Sequence, residues 1–307
     1  MEASPLRNTL SAGPRAQTLE LARRPALLVA VVLVWATSWP AVKVGVTAMP
    51  PIWFACWRYV LATACMFAFV GIRRKVMLPP PADWVLVVFS GVLQMAAYSA
   101  LTGLALTMLP PGRASVLAFS TPIWVVPIAA WWLRERASRL ALVGVGLGLL
   151  GVLAIAAPSL SVHGTAQAVA YTMLVAASAA WAISIVFVRK HGFTATPLVL
   201  APWQMLVASA ILFPLAMIRE GMPAAIDASG IAVLAYVGPI ATAFAYWAVV
   251  EAGRYLPART MSMALLATPS LGTLISTLTL GEPLDISLAA GLLLVAGGVG
   301  IAMLEPR

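Results

Sequence analysis

The chain alternates between long apolar runs and short polar separators. A membrane-spanning α-helix needs about 20 predominantly apolar residues, and ten runs qualify. They cover residues 26–47, 51–72, 83–107, 113–133, 139–157, 166–188, 195–218, 229–251, 258–280 and 285–304. Because the apolar residues are continuous within each run and do not alternate with polar ones, the pattern predicts helices and excludes a β-barrel.

Composition supports a membrane location. Of the 307 residues, 62% are hydrophobic and only 9% are charged, and the mean hydropathy is +0.97. Soluble domains have about a quarter of their residues charged, so the surplus apolar surface here must face lipid. We therefore expect an all-α polytopic membrane protein with ten transmembrane helices, a polar N-terminal tail at 1–25 and a short C-terminus at 305–307.

The basic residues divide unequally between the two sides of the predicted membrane. With the N-terminus placed in the cytosol, 15 fall on the inner side and two, Arg113 and Arg219, on the outer side. The 15 are Arg7, Arg15, Arg23, Arg24, Arg73, Arg74, Lys75, Arg134, Arg136, Arg139, Arg189, Lys190, Arg254, Arg259 and Arg307. Cytoplasmic loops carry an excess of Lys and Arg. We therefore expect a bacterial inner-membrane protein with both termini in the cytosol. The excess of basic residues on the cytosolic side explains the net charge of +9, so no nucleic-acid partner is expected.

The two halves of the chain repeat each other at an offset of 146 or 147 residues. The matches include Trp35-Ala36-Thr37-Ser38 with Trp181-Ala182-Ile183-Ser184, Lys43 with Arg189, Thr121-Pro122 with Thr268-Pro269, and Glu135 with Glu282. Each repeat, 26–158 and 159–304, holds five predicted helices. An odd number makes the second repeat enter the membrane from the opposite side, as in many secondary transporters. The alternative to a transport role is that the duplication serves only the packing of the helices.

Several motifs carry a family resemblance. They are Trp35-Ala36-Thr37-Ser38 with Pro50-Pro51 and Arg58, Ser120-Thr121-Pro122 with Trp132-Leu133-Arg134-Glu135-Arg136, and Ala267-Thr268-Pro269 with Leu280-Gly281-Glu282-Pro283-Leu284. The chain resembles two tandem EamA-type units of the drug/metabolite transporter superfamily over nearly all of residues 26–304. The resemblance implies ten helices, an inner-membrane location and export of small metabolites. Within the family the chain is similar to bacterial exporters of aromatic and other amino acids.

Arg58 is the clearest candidate for binding. It lies about seven residues, or ~10 Å, into the second predicted helix, where a cation is costly and usually faces a cavity. It is expected either to anchor a carboxylate or another anionic group or to snorkel to the outer surface. Lys43, about four residues from the outer end of its helix, has the same two interpretations. Arg189 occupies the equivalent position in the second repeat, so Lys43 and Arg189 are a candidate pair of symmetric charges at a gate or at the rim of the site.

Further candidate binding residues are polar or aromatic side chains deep in the predicted spans. They are Ser38, Trp39, Gln94, Tyr98, Trp181, Ser184, Trp203, Gln204, Tyr246 and Trp247. A mid-membrane amide such as Gln204 needs a hydrogen-bond partner. A Trp ring in a cavity stacks on an apolar or aromatic substrate, whereas a Trp near a span end fits an interfacial belt. The sequence leaves both interpretations open for Trp39 and Trp203.

Proline and glycine suggest moving and packed parts. Pro122 and Pro269 occupy repeat-related positions inside spans, where proline removes a helical hydrogen bond. They are predicted to be hinges of alternating access or, alternatively, fixed kinks. Small residues such as Gly144, Gly151 and Gly298 permit close helix contact. They predict packing of the fifth helix on the tenth or, alternatively, dimerisation, so a monomer or a homodimer is expected.

No acidic residue lies well inside a predicted span, and seven acidic residues and both histidines fall at span ends or in loops between them. They are Asp83, Glu135, Glu220, Asp227, Glu251, Glu282, Asp285, His163 and His191. Proton-coupled carriers usually hold a carboxylate or a histidine inside the membrane, so the sequence favours facilitated, gradient-driven transport. Glu135 and Glu282 recur in the repeat after helices, and their expected role is structural.

Catalytic signatures are missing from the sequence, which has no zincin HExxH, phosphate-binding loop, metal-spaced Cys/His cluster or GxSxG elbow. We expect no catalytic residue, metal or cofactor. The leading hypothesis is an exporter of amino acids or similar small amphipathic metabolites. A drug or nucleotide-sugar-type carrier is the second, although Arg58 and Lys43 are the few cations that it could use. An intramembrane enzyme or a scaffold is the alternative of a different class.

Overall fold

The computed structural model describes residues 14–73, 76–135, 138–162, 165–222, 226–256 and 258–302. These residues form ten helical units, and no strand occurs among them. The backbone of the first helix begins at Pro14. The side chains of the predicted tail 1–25 and the predicted C-terminus 305–307 lie outside the described part of the chain.

The helical units are numbered in chain order. They are α1 (Pro14–Ala48), α2 (Pro51–Arg73), α3 (Pro81–Met108), α4 (Pro111–Trp132), α5 (Arg139–Val162), α6 (Thr165–His191), α7 (Pro197–Glu220), α8 (Ala228–Gly253), α9 (the two segments Ala258–Leu265 and Ala267–Leu280) and α10 (Ile286–Ala302). Eight of these helices are long and apolar enough to cross a membrane. The apolar α10 has 17 residues, which span about 25 Å.

The helices confirm the predicted all-α polytopic fold, with small differences at the boundaries. The helix α5 continues to Val162, so the predicted division of the repeats at 158 and 159 falls within its last turns. His191 is the last residue of α6 and not part of a loop, whereas His163 lies outside the described residues. Helix α7 ends before Gly221, whose φ of 73° is a backbone conformation that a Cβ would strain.

Two ends of the helix bundle are named here by an acidic residue at each. The Glu282 end holds the turns α1–α2, α3–α4, α5–α6, α7–α8 and α9–α10. The Glu135 end holds the turns α2–α3, α4–α5, α6–α7 and α8–α9. Glu282 follows α9 and Glu135 follows α4, so the two names mark repeat-related positions on opposite faces of the membrane.

Irregular backbone recurs at equivalent places in the two repeats. Helices α3 and α8 each contain a π-helical stretch, Gly91–Ala97 and Val237–Phe244, and the stretches begin 146 residues apart. Helices α4 and α9 are both broken near mid-membrane, at Phe119–Ser120 and at Leu266. Because π-helices are rare and frequently mark functional sites, their symmetric placement points to the middle of the bundle.

The helix contacts have the same symmetry. Exchange of the two repeats maps the α5–α10 and α2–α7 contacts onto themselves. It also maps α1–α9 onto α6–α4, α1–α8 onto α6–α3, and α2–α8 onto α7–α3. The contacts therefore support the inverted repeats that the odd number of helices predicts.

The predicted packing of α5 on α10 is confirmed within one chain. A Cβ added at Gly151 would lie 2.8 Å from the carbonyl oxygen of Gly291, and Gly144 likewise faces Gly298. The two backbones therefore approach more closely than larger residues would permit. Gly297 has no neighbour within 4 Å of such a Cβ and lies outside this contact.

Candidate functional site

Arg58 in α2 reaches the π-helical stretch of α8. Its Nε donates a hydrogen bond of 2.7 Å to the Thr242 hydroxyl, which itself donates to the carbonyl of Val237, five residues earlier. Within the described part of the chain the guanidinium makes this hydrogen bond through Nε alone. Its two terminal nitrogens are therefore available to a ligand.

Aromatic and hydroxyl side chains from α2, α3 and α6 form a connected group beside the guanidinium. Its carbon lies 5.7 Å from the centre of the Tyr59 ring, and the Tyr59 hydroxyl is 3.1 Å from that of Ser99. The Tyr98 phenol is close enough to Arg58 for electrostatic interaction. The Tyr98 ring packs edge-on against Trp181 at 4.8 Å. Four helices, α2, α3, α6 and α8, thus meet around one cation.

Two smaller polar groups flank this centre. Ser184 in α6 donates to the side-chain oxygen of Gln94 at 3.3 Å, and Gln94 lies in the π-helical stretch of α3. Across the bundle the Tyr246 hydroxyl donates to the side-chain oxygen of Gln204 at 3.2 Å. Gln204 occupies the repeat position of Arg58, 146 residues later. The symmetric site is therefore cationic on one side and neutral on the other.

Other candidate residues have local partners instead. The Lys43 ammonium donates to the carbonyl oxygens of Leu106 at 2.5 Å and Leu109 at 3.3 Å. These are among the last carbonyls of α3, which lack partners within the helix, and a cation there is also favoured by the helix dipole. Ser38 donates to its own helix at Trp35, and Trp39 packs beside Phe119 at the break in α4.

Trp203 and Trp247 lie nearer the Glu135 end than Arg58 does. The Trp203 indole donates to the carbonyl of Met77 at 3.0 Å, and its ring contacts Trp84. The Trp247 ring contacts Phe69, which is about 16 Å along α2 from Arg58. The structure thus brings Arg58, Tyr98 and Trp181 together, with the Gln94–Ser184 and Gln204–Tyr246 pairs beside them.

Sequence analysis missed Thr242, Tyr59 and Ser99, which hold or border Arg58. Small hydroxyl residues give little signal in an apolar run, because they also bond back to their own helix. It also gave no role to Trp57, whose buried indole N–H has no hydrogen-bond partner among the described residues. Trp57 packs against both major apolar clusters of the protein, so this donor lies at their boundary.

Two acidic residues join the two repeats at opposite ends of the bundle. The Glu220 carboxylate accepts hydrogen bonds of 2.9 Å from the backbone N–H groups of Ile52 and Trp53 at the start of α2. The Asp83 carboxylate accepts from Thr194 and Ala195, just before α7, at 2.9 and 2.8 Å. First-turn N–H groups lack partners within their helix, so each acid satisfies donors from the other repeat.

A third acid closes the Glu282 end. The Glu282 carboxylate accepts from the backbone N–H groups of Gly112 at 2.7 Å and Arg113 at 3.3 Å, at the start of α4. The Arg113 guanidinium pairs with Asp285 and donates to the carbonyl of Ile155 at 2.8 Å. Glu282 is only 6% exposed. Burial raises its pKa, and the hydrogen bonds from Gly112 and Arg113 oppose that rise.

The Glu135 end is arranged differently. Glu135 pairs with Arg189 at 2.8 Å, and their side chains are 47% and 48% exposed. Helix α4 packs on α9 through the segments at the Glu282 end, Pro111–Ala118 and Ala267–Leu280. Among the described residues, the segments at the Glu135 end, Thr121–Trp132 and Ala258–Leu265, show no comparable packing. From this difference in packing we infer a cleft between α4 and α9 that opens toward the Glu135 end.

These observations define the class of protein. Apolar helices in two inverted repeats, with a cation and polar groups at their centre, form a polytopic membrane protein of the kind that moves solutes. A model of the EamA-like transporter family matches residues 25–157 and again residues 168–304. The chain belongs to this family and is an integral membrane transporter.

Known proteins are similar along most of the chain. A probable amino-acid metabolite efflux pump of Salmonella typhimurium is 27% identical over 286 residues, 90% of this chain and 93% of that protein. A probable terminal-alkyne amino-acid exporter of Streptantibioticus cattleyicolor is 26% identical over 294 residues, 91% and 93% of the two chains. A crystal structure with a TM-score of 0.64 and 22% identity covers 92% of this chain and 98% of that chain, and shows the shared fold.

The contacts of Lys43 predict a stabilising role for its ammonium. Lys43→Met keeps most of the alkyl stem but leaves the carbonyls at the end of α3 without their donor. We expect the midpoint of thermal unfolding in detergent to fall by several degrees, because the lost charged hydrogen bonds are worth about 1.5–3 kcal/mol. Any stabilisation that an added ligand gives to the natural protein should be retained. Lys190→Met is the control, since Lys190 is exposed and its ammonium lies over the Trp132 ring. Loss of the ligand-induced stabilisation in Lys43→Met would place Lys43 in the binding site.

Proposed function

We propose that this protein exports amino acids or similar small amphipathic carboxylates from the cytosol of a bacterium, across the inner membrane, by alternating access of its two repeats. The family and the names of the similar exporters support the general activity. The observation that carries the proposal is the position of Arg58. Its guanidinium lies where four helices meet, with both terminal nitrogens available for a ligand.

The chemistry of Arg58 suits a carboxylate. A guanidinium presents parallel N–H donors that match the two oxygens of a carboxylate. The hydrogen bond from Nε to Thr242 fixes the plane of the group before a ligand arrives. Beside it, the faces of Tyr98 and Trp181 offer apolar surface for the rest of a small amphipathic molecule.

The site offers no matching anion for an ammonium group. Each acidic side chain of the described region bonds to another part of the protein. The pairs are Asp83 with Thr194 and Ala195, Glu135 with Arg189, Glu220 with Ile52 and Trp53, Asp227 with Gly230, Glu251 with Arg254, Glu282 with Gly112 and Arg113, and Asp285 with Arg113. We infer that the carboxylate and the apolar part of the substrate are recognised, while an α-ammonium stays hydrated in the open cleft.

The same distribution of acids supports transport driven by the substrate gradient. The acidic residues of the described part of the chain lie within the terminal turns of helices or between helices, and none lies beside Arg58. A proton-coupled site would place a titratable group in the path. With the N-terminus in the cytosol, as the basic residues predict, the Glu135 end faces the cytosol. The cleft then opens toward the pool of molecules that an exporter collects.

The breaks in α4 and α9 suit moving helices. Pro122 and Pro269 lie at the first turns of the segments that follow the breaks at Phe119–Ser120 and Leu266. We propose these as the hinges about which the half-helices tilt. It stays a prediction that further side chains line the substrate path. They are Gln94, Ser184, Gln204 and Tyr246, and the more distant Ser38, Trp39, Lys43, Trp203 and Trp247.

The test of the site is efflux of radiolabelled amino acids from proteoliposomes. Arg58→Gln should lower transport efficiency at least tenfold for a transported amino acid, because the amide lacks the charge and the paired donors. Gln204→Leu should lower it less. Lys190→Gln, which removes an exposed cation, is the matched control. Efflux by the natural protein should not change when a pH gradient is imposed. Wild-type rates in Arg58→Gln would show that the site lies elsewhere.

Recognition of the carboxylate alone makes a second prediction. Unlabelled 3-phenylpropionate, which keeps the carboxylate and ring of phenylalanine but lacks the amine, should inhibit phenylalanine efflux as strongly as phenylalanine itself. Phenethylamine, which keeps the ring and amine but lacks the carboxylate, should inhibit at least tenfold more weakly. Equal inhibition by phenethylamine would contradict a site built on Arg58.

A further inference from the structure

Glu135 and Glu282 occupy equivalent positions in the two repeats but have different surroundings. They lie 147 residues apart, each just after a broken helix. Glu282 is buried against the start of α4, whereas Glu135 is half-exposed and paired with Arg189. Because the two halves are related by symmetry, this difference indicates that the Glu282 end is closed and the Glu135 end is open.

The contact of Glu282 joins parts that must separate if the Glu282 end opens. Its carboxylate holds the first-turn N–H groups of α4, and the electrostatic influence of Lys43 from α1 reaches it as well. The approach is close, because a Cβ added at Gly112 would lie 2.7 Å from a carboxylate oxygen. The absence of a side chain at Gly112 therefore permits the contact.

The equivalent sequence elements are present at the other end. The pair Gly112-Arg113 at the start of α4 has a sequence counterpart 146 residues later in Ala258-Arg259, at the start of α9. Lys43 corresponds in the same way to Arg189, the present partner of Glu135. The segment Ala258–Leu265 that would meet Glu135 lacks comparable packing with Thr121–Trp132 among the described residues. This contact is therefore available to form when the Glu135 end closes.

Two other acids, which are not repeat-related to each other, join the two repeats at both ends of the bundle at once. Glu220 and Asp83 both hold their N–H partners in one and the same structure, at distances of 2.8 to 2.9 Å. Because the Glu220 and Asp83 contacts are both made in one state, we expect them to hold throughout the transport cycle. A gate is expected to behave differently: the contact at one end is made while the equivalent contact at the other end is broken, as for Glu282 and Glu135.

We propose that Glu282 and Glu135 are the two alternating locks of the transport cycle, Glu282 on the first turn of α4 and Glu135 on the first turn of α9. The inference rests on the proposed alternating-access transport. In the present state the Glu282 lock is closed and the Glu135 lock is open. When the cleft changes sides, Glu282 releases α4, and Glu135 exchanges Arg189 for the N–H groups at the start of α9.

Distances between spin labels test the locks without any substrate. One label pair is placed at Thr47 and Thr107, at the Glu282 end, and another at His191 and Gly253, at the Glu135 end. All four positions are exposed helix residues, and the background carries Cys56→Ala and Cys65→Ala. Measurements are made on the full-length protein in lipid nanodiscs. The variants compared are Glu282→Ala, Gly112→Ala, Glu135→Ala and Glu220→Ala.

Glu282→Ala and Gly112→Ala should both shift the ratio of the two states about tenfold, a typical effect of losing a charged hydrogen bond. The Thr47–Thr107 distance should lengthen and the His191–Gly253 distance should shorten. Glu135→Ala should keep the resting distances. Glu220→Ala, the matched control, should lower thermal stability with both distance distributions unchanged.

Unchanged distances in both Glu282→Ala and Gly112→Ala would overturn the proposal, as would an equal shift in Glu220→Ala. Gly112→Ala guards against a folding defect, since it retains Glu282 and adds one methyl group. Shifted distances without amino-acid efflux by the natural protein would support the locks and contradict the proposed substrate. Amino-acid efflux by the natural protein, together with unchanged distances in Glu282→Ala and Gly112→Ala, would contradict the locks and leave the proposed substrate standing.

Discussion

The structure depends on the need of every backbone N–H and C=O group for a hydrogen-bond partner where lipid supplies none. The first turns of helices are the places where this need is not met within the helix. Here acids from a distant part of the chain supply partners: Glu220 for α2, Asp83 for the approach to α7, and Glu282 for α4. At the C-terminal end of α3, Lys43 donates a hydrogen bond to a carbonyl that has no partner within the helix. These contacts place charged residues at the ends of the bundle, whereas Arg58 lies inside it, on α2.

That arrangement separates two tasks. The Glu220 carboxylate joins the start of α2, the helix that carries Arg58, to the end of α7. In contrast, α4 and α9, which are broken near their centres, make different contacts at the two ends. The π-helical stretches of α3 and α8 widen the helices where α2 and α7 pass, and one of them presents Thr242 to the guanidinium. A fixed binding group between movable half-helices is the physical basis of a site that opens to one side at a time.

Much of the fold is predictable from the sequence, because membrane spans are set by apolar length and the repeat by a constant offset. Arg58 is identifiable because a cation inside a span is costly. The partners of Arg58 are not predictable, since Thr242 and Ser99 resemble the hydroxyl residues that bond to their own helices. The π-helical stretches leave no periodic signal in runs that are apolar throughout. The capping roles of Lys43, Asp83 and Glu220 depend on contacts across many residues of chain, which spacing alone does not reveal.

The most direct test of the account is the side from which the central site can be reached. A cysteine at Gln94, in the Cys56→Ala and Cys65→Ala background, is exposed to a membrane-impermeant maleimide from one face of sealed vesicles at a time. Cysteines at Gly253 and Thr107 in separate variants mark the Glu135 and Glu282 ends. The account predicts that the cysteine at position 94 reacts from the same face as that at 253, and more slowly when a transported amino acid is present. Faster reaction from the face that labels position 107 would contradict it.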